Sequence, residues 1–116
     1  MMWSRLGRSV RSGPSADDPG LYSGLIRLHI LHRAAAGPIF GQAMIDELAR
    51  HGYRLSAGTL YPILHGMERQ GYLRARSMLS GGRNRRVYRA TPVGRKALAS
   101  ARQRVEELFG ETFDRQ

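Results

Sequence analysis

The sequence predicts a mainly helical α+β fold: a winged helix-turn-helix with a two-stranded β-wing and one further C-terminal helix. Three observations predict it. Apolar residues recur at helical spacing in four segments. Between the third and fourth, the period shortens to that of strands on either side of Gly81-Gly82. Turn-forming residues punctuate the chain at Gly37-Pro38, across His51 to Leu55, and at Thr91-Pro92. The order is therefore helix, helix, helix, hairpin, helix. Two short helices joined by a tight turn, with a basic hairpin after them, is the plan of a winged helix-turn-helix.

Residues 1–20 hold Gly7, Gly13, Pro14, Pro19, Gly20 and several serines, and are expected to form a flexible tail. Trp3 is the one large aromatic there. The first helix is expected from Leu21, with Leu21, Leu25, Leu28, His32 and Ala35 on one stripe and Leu31 alongside. A second helix follows from about Phe40, its apolar face being Phe40, Met44, Ile45, Leu48 and Ala49, with Gly52 as its C-terminal cap. Ser56 suits an N-cap for the third helix, because its hydroxyl can accept from an unpaired first-turn amide. That helix buries Leu60, Ile63, Leu64 and Met67, ends at Gly71, and is bent early by Pro62. Tyr72 to Leu79 reads as a strand, Ser80-Gly81-Gly82-Arg83-Asn84 as the turn and Arg85 to Ala90 as the returning strand. Thr91 then caps the last helix and Pro92 opens it. Its stripe is Leu98, Ala101, Val105, Leu108 and Phe109. The expected division is a tail at 1–20, a winged-helix domain at 21–91 and a C-terminal dimerisation helix at 92–116.

At 116 residues the chain fits one domain. It has no cysteine, which excludes a disulfide scaffold and thiolate metal or redox chemistry. The formal net charge is +10, and all the basic residues but Lys96 are arginine. Arg69, Arg74, Arg76, Arg83, Arg85, Arg86 and Arg89 fall in one stretch that contains no acid. Such a field attracts nucleic acid, an anionic membrane surface or an acidic protein. No apolar run is long enough to span a bilayer, and the start lacks the apolar core of a secretory signal. A soluble, cytoplasmic protein is expected.

The third helix offers Ser56, Gly58, Thr59, Tyr61, His65 and Arg69 away from its apolar face. Helix N-termini carry unpaired amides and partial positive charge, so phosphate is a natural ligand there. Gly58 allows close backbone approach, the Thr59 and Tyr61 hydroxyls suit phosphate, and His65 one turn on suits a base edge. Capping by Ser56 and Thr59 is compatible with that role. At the wing tip, Arg83, Asn84, Arg85 and Arg86 flank a slim glycine turn, and clustered guanidiniums bind phosphates or enter a narrow minor groove. These are the candidate DNA-binding residues.

Several stretches together resemble the PadR family of bacterial transcriptional regulators: Leu60-Tyr61-Pro62-Ile63-Leu64, the Glu68 to Leu73 step, Gly81-Gly82-Arg83, Val87-Tyr88-Arg89 and Thr91-Pro92-Val93-Gly94-Arg95. The similarity runs from about Leu25 to Leu98. It implies a homodimeric repressor at a palindromic operator, with the third helix in the major groove and the wing on flanking backbone or minor groove. It also implies release from DNA by a small effector, often an aromatic acid or a hydrophobic drug. The short segment after Pro92 resembles the family's short subgroup, in which the first and last helices build the dimer. On this chain that role falls to Leu25, Leu28, Leu98, Ala101, Val105, Leu108 and Phe109.

Other signals are weaker. His29 and His32 share a helix face, but a metal site needs more ligands than this pair, although a dimer could supply them. No metal or cofactor is expected. Phe40, Met44 and Tyr53 suit an effector cavity or simple core packing. No acid-base constellation, nucleophile or phosphate-cradling loop suggests an enzyme. The alternatives are a basic RNA-binding or ribosome-associated protein, and an adaptor whose arginines meet an acidic partner. Tyr61 and Tyr88 are few and separated for a base-stacking platform.

Overall fold

Proline and glycine set the first boundary. A computed structural model describes residues 19–110, and in it helix α1, Pro19–Ala36, closes with the Gly37 amide donating to the Arg33 carbonyl (3.2 Å) just ahead of Pro38. The expected tail and Trp3 lie largely outside the described residues. Strand β1, Ile39–Phe40, and helices α2, Gly41–Arg50, and α3, Ala57–Arg69, follow. Strands β2, Leu73–Ser80, and β3, Arg83–Ala90, and helix α4, Pro92–Phe109, complete the fold.

The chain opens α1 two residues ahead of Leu21, and it turns a different face inward from the one expected. Ile26, Ile30, Leu31 and Ala34 enter the core, whereas Leu21 is 68% exposed and Leu25 44% exposed. The helix is apolar on two sides, so periodicity alone could not say which one the rest of the molecule covers. The second helix starts at Gly41, because Phe40 is extended (φ −98°, ψ 150°) and pairs in a sheet. Met44 and Leu48 are buried as expected, and Gly52 turns the chain out of α2 at φ 91°. Ser56 caps α3 by accepting from the Thr59 amide (3.3 Å), and Leu60, Leu64 and Met67 are buried.

The hairpin is tighter than expected. Gly81 and Gly82 sit at φ 59° and 76°, the two-residue turn that matches strand twist, and Ser80 pairs directly with Arg83. Arg83 and Asn84 therefore belong to β3 rather than to the turn. The sheet has a third strand that the sequence did not reveal. β1 pairs antiparallel with β3 (Ile39 with Tyr88, Phe40 with Val87), giving the order β1-β3-β2. Two residues are too few to show a strand period.

Tyr88 lies at the centre of the core with Ile26, Ile30, Met44, Leu48, Leu60, Leu64 and Leu73. Burial pushes its phenol above the ordinary range, and the nearby Arg86 guanidinium draws it partly back. α4 is anchored at its start. The Thr91 hydroxyl donates to the Gly71 carbonyl (2.5 Å) and accepts from the Gly94 amide (2.9 Å), while the Thr91 amide donates to the Tyr72 carbonyl (3.0 Å). Gly94 is the buried residue of α4; Leu98, Ala101 and Val105 are half-buried, and Leu108 and Phe109 are 59% and 52% exposed.

Candidate nucleic-acid interface

α3 buries Leu60, Leu64 and Met67, so helical geometry carries Gly58, Pro62, His65 and Arg69 to the opposite side, where all four are exposed. This ridge holds three of the expected contact residues and adds Pro62, which the sequence marks only as a bend. A side chain at Gly58 would meet nothing closer than the Ser56 hydroxyl at 3.7 Å, so packing within the chain does not demand glycine there. Ser56 and Thr59 are exposed at the start of the helix, their hydroxyls 3.3 Å apart.

Tyr61 is half-buried and does more than present a hydroxyl. Its ring lies over Gly41, in the space a Cβ there would take, and packs α3 against the start of α2. The ring centroid is 6.3 Å from that of His65. A polar cleft of about 380 Å³ lies beside it, lined by Phe40, Gly41 and Gln42 at the start of α2, by Tyr61, and by Arg83 to Arg86 on the wing. Phe40 offers no side-chain cap to α2, leaving that helix start to other partners. Tertiary folding thus gathers the wing arginines and Tyr61 around a second helix terminus. Ser56, Gly58, Thr59, His65 and Arg69 lie along α3 outside this cleft.

The wing arginines are not equivalent. The Arg85 guanidinium sits 5.3 Å from the centroid of the Phe40 ring, a cation–π distance. Arg86 reaches both carboxylate oxygens of Glu68 on α3 at 3.4 Å. The acid-free stretch is therefore partly neutralised from just outside its own limit, by a residue eighteen positions away in the sequence from Arg86. Arg83 and Asn84 are exposed.

Two of the four histidines, His29 and His51, serve a joint between elements. The His29 ring on α1 lies 4.7 Å from that of His51 and 5.4 Å from Tyr53, both in the turn between α2 and α3, and Tyr53 packs on Tyr22 (5.8 Å). His51 Nε2 is 3.3 Å from Glu47, which also pairs with Arg50. Burial, then His51, hold the His29 imidazole below its ordinary range, with Glu47 opposing. His32 is exposed, and among the described residues no group of three or more His, Asp or Glu could hold a metal ion. Tyr53 is committed to this joint rather than to a cavity with Phe40 and Met44. Elsewhere, Leu21, Leu25, Leu28, Ala97 and Ala101 line an open apolar groove of about 540 Å³ between α1 and α4. A second groove of about 280 Å³ adjoins it at Leu25, Leu28, Leu98 and Val105. No helix of the described residues is long and apolar enough to cross a membrane.

The model of the transcriptional regulator PadR-like family matches residues 28–100, a span that takes in α2, α3, the whole wing and the start of α4. The chain belongs to this family. Its members are regulators, not enzymes. This PadR-family regulator is 52% identical over 88 residues to transcriptional regulator Rv3488 of Mycobacterium tuberculosis, covering 76% of this chain and 82% of that protein. It superposes on the PadR family transcriptional regulator of Eggerthella lenta with a TM-score of 0.70 at 29% identity, over 80% and 82% of the two chains. PadR of Bacillus subtilis, crystallised in complex with operator DNA, shares the fold with a TM-score of 0.59 at 18% identity, over 66% of this chain and 45% of that one.

Proposed function

We propose that this PadR-family regulator is a homodimeric repressor that binds a palindromic operator in duplex DNA and is released by a small aromatic or hydrophobic effector. The observation that carries the reading is the exposed α3 ridge standing beside a cleft of wing arginines. An exposed helix ridge fits the major groove, and exposed guanidiniums on a thin hairpin fit flanking phosphates. In this reading Gly58, His65 and Arg69 face base edges and backbone from the ridge. Ser56, Thr59 and Tyr61 meet phosphate at helix starts, and Arg83, Asn84, Arg85 and Arg86 grip the flanking backbone.

The second copy supplies the other half-site. The apolar grooves between α1 and α4, together with exposed Leu108 and Phe109, support an interface built from Leu25, Leu28, Leu98, Ala101, Val105, Leu108 and Phe109. Residues 21–91 then act as the DNA-binding domain and the C-terminal helix as the dimer element. A groove of about 540 Å³ is also of small-ligand size, so an apolar effector seated there would alter the dimer and the spacing of its recognition helices.

The test is binding to the duplex upstream of the protein's own coding region, against random duplex of equal length, at two salt concentrations. Sequence-preferring binding that survives the higher salt supports the repressor. Binding that ignores sequence and vanishes with salt overturns it.

A further inference from the structure

Strand pairing sorts the arginines of the wing onto two faces. Directly paired residues share a face, and successive residues alternate. Leu73, Ala75 and Tyr88 point to the core, and Arg86, two residues before Tyr88, lies on that inner side against Glu68. The register (Arg74 with Arg89, Arg76 with Val87, Met78 with Arg85, Ser80 with Arg83) puts five arginines on the outer face. Arg83, Arg85, Arg76, Arg89 and Arg74 run from the wing tip to its base, ~20 Å at ~3.3 Å per residue.

This arrangement is costly for the free protein. Arg74 and Arg89 stand directly opposite each other, and like charges so placed destabilise a sheet. Arg74, Arg76, Arg83 and Arg89 make no side-chain hydrogen bond or ion pair among the described residues, unlike Arg50 with Glu47 and Arg86 with Glu68. At the wing base Arg74, Arg76 and Arg89 open onto a cleft of about 330 Å³ that Thr91 and Pro92 close.

We propose that the outer face of the wing is a phosphate track, along which flanking duplex DNA continues from the wing tip towards the start of α4. The proposal rests on the DNA-binding reading above and extends its footprint by about six base pairs of backbone. Duplex DNA fits better than an acidic protein. Interfaces between proteins are apolar and depleted of charge at their centre. On this face Val87 is buried, Phe40 is half-buried with the Arg85 guanidinium at its ring, and among the described residues Met78 is the large apolar side chain left exposed. The track is also continuous with Arg83 and Arg85 at the tip, so one backbone can follow both. Contacts of this kind carry no sequence information; they set affinity, register and salt dependence.

The experiment compares the wild type with R74Q/R76Q/R89Q and with R33Q/K96Q/R104Q, which loses equal charge from exposed positions on α1 and α4. Each is titrated across salt with random-sequence duplex of about 40 base pairs. The wing variant is expected to bind at least ~10-fold more weakly at low salt and to flatten the salt slope by about two to three units, one per lost contact. The control variant keeps the wild-type slope. Relieved of like-charge repulsion, the wing variant melts at or above the wild-type temperature. If the two variants behave alike, or the wing variant matches a wild type that binds duplex, the track is overturned while the DNA reading stands. If the wild type binds no duplex, both fall. A lower melting temperature would mean that the fold itself needs these arginines, which also overturns the proposal.

Discussion

A methyl group at Gly94 would run into the Tyr72 carbonyl, whose carbon lies 3.0 Å from the position of that Cβ. The obstacle is backbone and cannot rotate away. Gly94→Ala is therefore expected to cost about 1–3 kcal/mol by overpacking and to lower the melting temperature. An unchanged melting temperature would show that α4 can slide. Gly41 differs, because its obstacle is the far end of the Tyr61 ring, which can swing aside. His29 gives a pH dependence with a definite sign. Burial, then His51, hold its folded-state value below the ordinary 6.5. The unfolded chain thus takes up a proton just below pH 6.5 that the folded chain refuses, so this stability is fully present above 6.5 and is lost as the pH falls. Melting temperature is expected to drop between about pH 7 and pH 5, and His29→Gln to remove that part of the drop. A variant with the full wild-type slope would place the dependence elsewhere.

Among the elements, the wing carries the clearest expectation, and its two faces separate the roles of neighbouring arginines. Arg83 has no acidic partner among the described residues, whereas Arg86 is engaged by Glu68 at 3.4 Å. Arg83→Ala should weaken binding to every duplex and flatten the salt slope by about one unit. Arg86→Ala should do less, because part of its charge is already balanced. Glu68→Gln releases Arg86 and is expected to tighten non-specific binding while steepening the slope. Equal salt slopes for R83A, R86A and wild type would remove the wing from the interface. On α3, replacing His65 is expected to change preference among operator sequences rather than affinity for all of them, each base contact being worth ~1–3 kcal/mol. A uniform loss would move His65 to the phosphate contacts.

For the whole molecule, the decisive property is the apolar surface that α1 and α4 present among the described residues. One side of α1 completes the core, and the other, with the stripe of α4, lines two adjoining apolar grooves. A domain of this size gains from covering such a surface with a second copy. In the proposed dimer, two copies would place two recognition helices on half-sites a helical turn apart. Leu108→Glu or Phe109→Glu is expected to yield a folded monomer with weaker operator binding. Sedimentation at the wild-type mass would refute this interface, and a far-ultraviolet spectrum unlike wild type would mark a folding failure instead.

The sequence by itself determined the features that act within a few residues of their own position. Ser56 and Thr91 cap their helices through the first-turn amides of Thr59 and Gly94. Gly81-Gly82 makes the hairpin turn, and Gly37-Pro38 stops α1. The family motifs on α3 and the wing were legible for the same reason, being contiguous. Tertiary structure decided whatever depends on partners distant in the chain. It chose the Ile26–Ile30 side of α1 for the core, paired Ile39-Phe40 with β3, and joined His29 to His51. It also brought Glu68 to Arg86 and sorted the remaining wing arginines onto the outer face. Short-range hydrogen bonding and backbone sterics are written locally, whereas burial and charge pairing are settled by what the completed fold places opposite each side chain.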